Sequence, residues 1–583
     1  MKIVNADVAA VFARIADLLE VQGANMFRIR AYRNAARTVA ELGGRNLADM
    51  VEAGADLDAL PGIGADLAAK IAEIVATGTC DQLERLQEEL PPAITELLTI
   101  PRLGPKRVRA LHQELGVKTL AELLRAARLR RIRTVQGFGP KMERQILEAA
   151  TARLARQRRF LRPAATQAAD ALLAQLKAVP GVQEAVAAGS LRRGRDTVGD
   201  LDLLVAADRA SPVMQGFATR AEVERVLSKG TTRASVLLRN GMQVDLRSVQ
   251  PVSFGAAWLY FTGSKAHNIA LRRRAQELDL KLNEYGLYHG GQRIAGATEQ
   301  SVYRALGLAF IEPELREDRG ELEAAEQRRL PKLVRLADLC GDLHAHTTDS
   351  DGRDTLEAMA GAAAARGWSY LAITDHSQHL AVAHGLDAAG LARQMDRIDE
   401  LNARLDGLVL LKGAEVDILE NGRLDLPDAV LRRLDLVIGA VHQAFELPRE
   451  RQTERLLRAM DHPYFTILAH PTGRLIDERA PCELDLARVV RAARQRGCYL
   501  ELNADPARLD LVDTACRIAR DEGVLVSIAS DAHSALAFDH LAFGVSQARR
   551  GWLRPQDVLN ARSLRELKPL LAATMDREPV PAA

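Results

Sequence analysis

Over the first 160 or so residues, apolar positions recur every three or four residues in short stretches broken by Gly and Pro, the signature of short amphipathic helices. The opening MKIVNADVAAVFARIADLLE sets Asp7, Arg14, Asp17 and Glu20 among apolar residues, which predicts such a helix and not a secretory leader. Three of the breaks share one form: LPGIGADLAAKI (60–71), IPRLGPKRVRAL (100–111) and VQGFGPKMERQI (135–146) each run from an apolar residue through a glycine turn into an amphipathic helix. From about 165 to 255 the pattern changes, and QEAVAAG, DLDLLVAA, SVLLR and QVDLRSV predict strands. A mixed segment follows over 256–315, and the charged stretch from Glu312 to Lys332 predicts a linker. From near Leu339 to about 572, the runs LAIT, LVLLKGAEV, LVIGAVH, FTILAH, CYLELNA and VLVSIAS alternate with helical stretches. That alternation predicts β-α units around a parallel sheet, with a barrel as its closed form. The tail DREPVPAA reads as loose.

A chain of 583 residues exceeds what one hydrophobic core organises, so several domains are expected. With 47% hydrophobic and 27% charged residues and no apolar run of membrane length, the composition excludes membrane and disordered classes. Five scattered cysteines without short paired spacing argue for reduced thiols and a cytoplasmic address. The net charge of +2 hides a segregated distribution: residues 101–162 hold 17 Lys and Arg against four Glu and no Asp, a local excess of +13. Such a block reads as a footprint for a polyanion. Backbone N–H groups of a glycine turn at a helix N-terminus can hold a phosphate oxygen without reading a base. The three turns resemble the helix-hairpin-helix element of DNA repair proteins, which marks Gly62, Gly64, Gly104, Lys106, Gly137, Gly139 and Lys141 as DNA-binding candidates. Arg102 stands where the second copy would carry its first glycine.

The segment AAGSLRRGRDTVGDLDLLVAA places Asp200 and Asp202 two apart at a strand start, so both side chains leave one face, and Asp245 in QVDLR can complete the cluster. Like charges that close call for a cation, and hard oxygen ligands suit Mg²⁺ or Mn²⁺. Two such ions about 4 Å apart serve phosphoryl transfer. Gly189 and Ser190, with Arg193, offer N–H, hydroxyl and guanidinium to a triphosphate. The order G-S-x-R-R-G, G-D-x-D and third Asp resembles the palm of a family X DNA polymerase. Tyr260, Phe261, Thr262, Gly263 and Ser264 are similar to that family's Y-F-T-G-S segment, and Asn268 and Arg272 fall where members contact nucleotide and template. The resemblance implies catalysis by Asp200, Asp202 and Asp245, and nucleotide binding by Gly189, Ser190, Arg193, Tyr260, Phe261, Gly263, Ser264, Asn268 and Arg272. It extends to the N-terminus, where FRIRAYRNAARTV and the first hairpin resemble a small lyase domain. Lys70 stands at the place of a Schiff-base lysine in some relatives, with Asp66 and Phe27 where relatives have a basic residue and a histidine.

Ten of the 13 histidines fall between 344 and 540. GDLHAHTTDSDG offers His344, His346 and Asp351; further on come His376, Glu415, His442, His470, Asp531 and His533, most of them closing an apolar strand run. Imidazole with carboxylate suits Zn²⁺, Mn²⁺ or Fe²⁺, and nine such ligands would hold three ions with Glu415 bridging two. Clustered ions imply hydrolysis of phosphate esters. The set resembles the polymerase and histidinol phosphatase (PHP) domain; His379, His384, His462 and His540 fall outside it, while Asn503, Arg508 and Asp510 also match, with Arg508 on a phosphate.

Together these resemblances identify a multidomain chain: a helical helix-hairpin-helix N-terminus, an α+β nucleotidyltransferase palm and a C-terminal α/β distorted barrel. The expected divisions are a lyase-like DNA-binding domain over 1–90, a fingers-like hairpin domain over 91–160, the palm over 161–255, a nucleotide-selecting subdomain over 256–315, a linker over 316–338 and the PHP domain over 339–572. The implied activity is gap-filling DNA synthesis in repair, with a 3′-5′ exonuclease or phosphoesterase that cleans 3′ ends or cuts abasic sites. Gapped or primed DNA and dNTPs are the expected partners of a monomer without membrane attachment. A DNA-binding scaffold with a silent barrel, or a metabolite phosphatase with a DNA-binding arm, are the other readings of the same residues.

Overall fold

The computed structural model describes residues 3–42, 46–89, 97–98, 100, 103–155, 159–208 and 211–575. Arg102 and the tail 576–583 lie outside the described residues. The opening helix is Asn5–Gln22 and packs with Met26–Ala40, Ala65–Thr77 and Asp81–Glu89 around Phe12, Ile15, Tyr32, Ile71 and Cys80. A second helical core gathers Val108, Leu111, Ile132 and Ile146 under the helices Pro105–Leu115, Leu120–Arg128 and Pro140–Ala155. Proline at the first position of two of these helices matches a backbone that has no N–H partner there. Gly62 and Gly137 turn the chain at φ +71 and +85, a conformation that favours glycine.

Five strands form the next sheet in the order Val182–Ala187, Asp200–Ala207, Gln243–Val249, Arg233–Leu238, Val223–Lys229. Only Asp200–Ala207 and Gln243–Val249 run parallel; the other neighbours are antiparallel. The outermost strand, Val223–Lys229, escaped the sequence reading because an exposed edge needs no alternation of apolar and polar residues. The helices Phe254–Thr262 and Lys265–Glu277 follow, then a three-stranded antiparallel sheet and the helix Glu299–Ala305.

The stretch 316–338, expected as a linker from its charge, is packed. Its helix Glu321–Glu326 docks with Glu321 fully buried beside His267, whose Nδ1 lies 2.7 Å from Glu321 Oε1. Arg316, also fully buried, donates to Glu299 Oε1 at 2.7 Å and twice to the Ile311 carbonyl. Charged residues were read as solvated, but here they satisfy one another inside the fold.

The C-terminal sheet has seven strands in chain order, all parallel, from Gly341–Asp342 to Val526–Ala529. A parallel bridge between Ala345 and Ala532 joins its first and last members, nearly closing a distorted barrel. Helices cover the outside, so strands such as Leu436–Ala440 are apolar throughout. The N-terminal helices touch this barrel: Arg353 donates to Thr38 Oγ1 and Glu41 Oε1 at 2.9 Å each, and Ser534 Oγ donates to Glu41 Oε2 at 3.0 Å. Among the described residues no helix is long and apolar enough to cross a membrane.

Removing one partner of a buried ion pair strands the other charge in the interior. Arg316→Ala is therefore expected to destabilise the fold by about 3–5 kcal/mol, read as a lower urea midpoint in equilibrium unfolding.

Candidate active site

Pairing in register sets Asp202 directly beside Asp245, and Asp200 lies two residues back on the same face. Burial, then the nearby Asp200 and Asp245, pushes the Asp202 carboxyl up to about 7; burial and Asp245 also raise Asp200. Asp245 is buried and accepts from Ser235 Oγ and, at 3.1 Å, from Gln243 Nε2. Against this floor presses the turn at Gly189, where φ is +59 and a Cβ would overlap Asp202 Oδ2. Glycine is the residue that lets the turn approach the carboxylates.

A cavity of about 720 Å³ is lined by Gly189, Ser190, Arg193, Asp200 and Asp202, while Asp245 is not among the lining residues. Tyr260, Phe261, Thr262, Gly263, Asn268 and Arg272 line the same cavity. Asn268 Nδ2 donates to the Tyr260 carbonyl at 2.7 Å, and the Arg247 guanidinium lies 4.2 Å from the Phe261 ring centre. Ser264 is not in the lining: its hydroxyl caps the helix Lys265–Glu277 by accepting from the His267 N–H at 3.2 Å. Arg193 donates to Glu317 Oε1 at 3.1 Å and to the Thr262 carbonyl. Arg192 points elsewhere, bonding both Glu299 oxygens and stacking 3.4 Å from the Trp258 ring centre.

The barrel gathers the nine residues of the second set. Ligand atoms of His346, Asp351, His376 and His533 lie within 4.8 Å of one another, as do those of His344, His346 and Asp531, and those of His376, Glu415 and His442. Glu415 sits between subclusters: Oε2 is 2.9 Å from His376 Nδ1 and 3.4 Å from His344 Nε2. Its Oε1 is 2.9 Å from His470 Nε2 and 3.3 Å from His442 Nε2. Burial favours protonated Glu415, but His376, His344 and His442 outweigh it and hold the carboxyl well below its ordinary range. Burial, with His533 and His376 close by, pushes His346 down to about 3. His470 and Asp531 hold φ of +26 and +53 at the ends of their strands, strain of the kind that collects at functional sites.

Residues 257–317 match the DNA polymerase beta thumb family, and 342–505 the PHP domain. Residues 3–80 match the Helix-hairpin-helix domain and 94–152 the SAM-like Helix-hairpin-helix tandem. The DNA polymerase/3'-5' exonuclease PolX of Bacillus subtilis is 37% identical over 97% of this chain and 99% of its own length. The chain belongs to the family X DNA polymerases with a PHP domain. Proteins named probable phosphatases match the barrel region: one from a Thermoanaerobacter species is 30% identical over 34% of this chain and 80% of its own length. Another, from Acetivibrio thermocellus, is 33% identical over 33% of this chain and 78% of its length.

In this family X polymerase the donor chemistry of the barrel fits divalent ions. His344 Nε2, His346 Nδ1, His376 Nδ1 and Glu415 Oε2 are buried without hydrogen-bond partners. Ring nitrogens that face away from the cluster are anchored: His344 Nδ1 lies 2.6 Å from Glu501 Oε1, His442 Nδ1 is 2.5 Å from Asp417 Oδ1, and His533 Nδ1 is 2.8 Å from the Asp531 carbonyl. Metal-ligating histidines are held in this way by an outer carboxylate or carbonyl. Glu501 and Asp417 were missed in the sequence. The available signal was period two, because Asp417 shares a strand face with Glu415 and Glu501 shares one with Asn503. Asn503 Nδ2 donates to Asp531 Oδ2 at 2.9 Å, and Asp510 accepts from Thr472, so both brace the cluster. Arg508 approaches Asp531 Oδ2 to 3.9 Å.

At the hairpins of the same polymerase, Gly64, Gly104, Gly137 and Gly139 would each carry a Cβ into open space. At Gly137 the φ of +85 itself favours glycine, whereas at Gly64, Gly104 and Gly139 neither φ nor packing against described residues does. Lys106 and Lys141 are exposed beside these turns. Lys70 is paired with Asp66 on its own helix.

Two outcomes follow. Gly189→Ala displaces Asp202 and is expected to lower nucleotide incorporation by about 10²-fold with DNA affinity unchanged, measured by single-turnover extension. Glu501→Gln frees the His344 ring and is expected to weaken metal binding about 10- to 100-fold in a chelator-competition titration.

Proposed function

We propose that this chain fills short gaps in damaged DNA by adding nucleotides to a primer and uses its barrel as a metal-dependent 3′-5′ exonuclease or phosphoesterase on the same ends. One observation carries the reading: Asp200 and Asp202, with Asp245 paired in register beside Asp202, share a cavity with the Tyr260–Arg272 segment. In this reading Asp200, Asp202 and Asp245 are the catalytic carboxylates and hold Mg²⁺ or Mn²⁺. Ions bound there would polarise the primer hydroxyl and offset charge on the leaving pyrophosphate. Gly189 and Ser190 present N–H and hydroxyl donors to the triphosphate, Arg193 and Arg272 present guanidinium groups, and Tyr260, Phe261, Gly263 and Asn268 shape the wall for the sugar. Ser264 acts by capping the helix that carries Asn268 and Arg272.

In the barrel, His344, His346, Asp351, His376, Glu415, His442, His470, Asp531 and His533 hold up to three Zn²⁺, Mn²⁺ or Fe²⁺ ions, whose chemistry is the supply of hydroxide near neutral pH. Arg508 faces the substrate phosphate. The likeness to probable phosphatases favours removal of blocking 3′ groups beside nucleotide release. Gly62, Gly64, Gly104, Gly137 and Gly139, with Lys106 and Lys141, grip phosphates of the gapped duplex through main-chain amides and charge. Lys70 is the candidate nucleophile for a lyase step, which would require its release from Asp66. The enzyme works as a cytoplasmic monomer on dNTPs and gapped or primed DNA, with the domain divisions that the sequence predicts.

The test uses a labelled gapped duplex with and without dNTPs. Asp202→Ala is expected to lower extension by at least about 10²-fold while 3′ trimming persists, and His344→Ala to do the reverse. Parallel loss of both activities in either variant would rule out two independent sites.

A further inference from the structure

The turn that carries Arg193 does not hold its position with palm residues alone. Arg550, in the helix Leu541–Arg550 of the C-terminal domain, is 3% exposed and donates from one guanidinium nitrogen to the Arg193 carbonyl at 2.8 Å and to Glu317 Oε1 at 2.9 Å. Its other terminal nitrogen donates to Asp513 Oδ2 at 2.7 Å, which fixes the fork from its own domain. Glu317 is the carboxylate that holds the Arg193 side chain at 3.1 Å, and it lines the cavity above the aspartates. Arg550 thus grips Arg193 twice, directly at its carbonyl and through Glu317 at its guanidinium.

Further contacts from the same helix seat the turn. Gly194 lies against Ser546 so closely that a Cβ would overlap the Ser546 hydroxyl, and the Arg162 guanidinium sits 5.5 Å from the centre of the Phe543 ring. Beyond the turn, Arg474 of the barrel donates to Asp196 Oδ2 at 3.2 Å. A planar, permanently charged fork meeting three acceptors in fixed directions is a task for arginine that lysine cannot repeat.

We infer that Arg550 is a positioning residue of the polymerase site: the C-terminal domain supplies the seat that aims Arg193 and the Gly189–Ser190 turn at the incoming nucleotide. Arg550 touches neither nucleotide nor reacting atoms; it acts through Arg193 and Glu317. The inference rests on the polymerase reading of the cavity. It deepens that reading by making nucleotide affinity depend on a residue of the other catalytic domain.

The test is steady-state extension of a gapped duplex by the full chain, with dNTP KM, kcat and 3′ trimming measured on the same preparation. Arg550→Ala is expected to raise the dNTP KM about tenfold or more with trimming within twofold of the parent, and Arg550→Lys to fall between. Because both groups act on Arg193, Arg550→Ala combined with Glu317→Gln is expected to be no worse than the more severe single change. Equal decline of extension and trimming, an unchanged dNTP KM, or multiplying effects of the two substitutions would overturn the inference. Should Arg550→Ala fail to fold, Ser546→Val, which presses on Gly194 from the same helix, must give the KM-selective defect, and its absence overturns the inference as well. A parent chain that adds no nucleotide would instead overturn the polymerase reading itself.

Discussion

The constraint on which both sites depend is the cost of gathering ionisable side chains so closely that few can keep their full share of water. Three neighbouring carboxylates at the palm and nine largely buried imidazole and carboxylate groups in the barrel are arrangements that cations would relieve. The fold makes this tolerable by geometry. In the palm the one parallel strand pair aligns Asp202 with Asp245, and in the barrel successive strand ends deliver one or two ligands each around Glu415. Outer groups then fix the orientation of the inner ones, as Glu501 and Asp417 do for His344 and His442.

Around these centres, buried and half-buried arginines do the joining. Arg192 and Arg316 share Glu299 and tie the palm turn to the helix Glu299–Ala305, while Arg319 and Arg550 share Asp513 and tie the region after the thumb to the barrel. The guanidinium group suits this role because several donors in one plane meet several acceptors without losing the charge. The palm and the barrel are consequently packed units, with ion pairs where apolar area alone would leave surfaces free to slide.

Much of this was legible in the sequence where a short-range rule operates. Asp200 and Asp202 announce themselves by period two beside a Gly-Ser turn, and the histidines by their position at the ends of apolar runs. Glycine turns followed by helices marked the hairpins. What escaped detection depends on the partner across the fold. Glu501 and Asp417 look like ordinary strand residues until His344 and His442 are set beside them. Arg316 and Glu321 look solvated until Glu299 and His267 enclose them, which is why 316–338 read as a linker. Ser264 matched a nucleotide motif, yet its hydroxyl is engaged in capping a helix.

The hairpin glycines leave bare main chain beside their helices. At Gly64, Gly104 and Gly139 the space a methyl group would fill is clear of the described residues. Contacts made by amide N–H groups carry the same message to every nucleotide, since each presents the same phosphate. An enzyme held in this manner would find its workplace by the contour of a broken strand, and any lesion leaving the same contour would look alike to it, whatever letters surround the break.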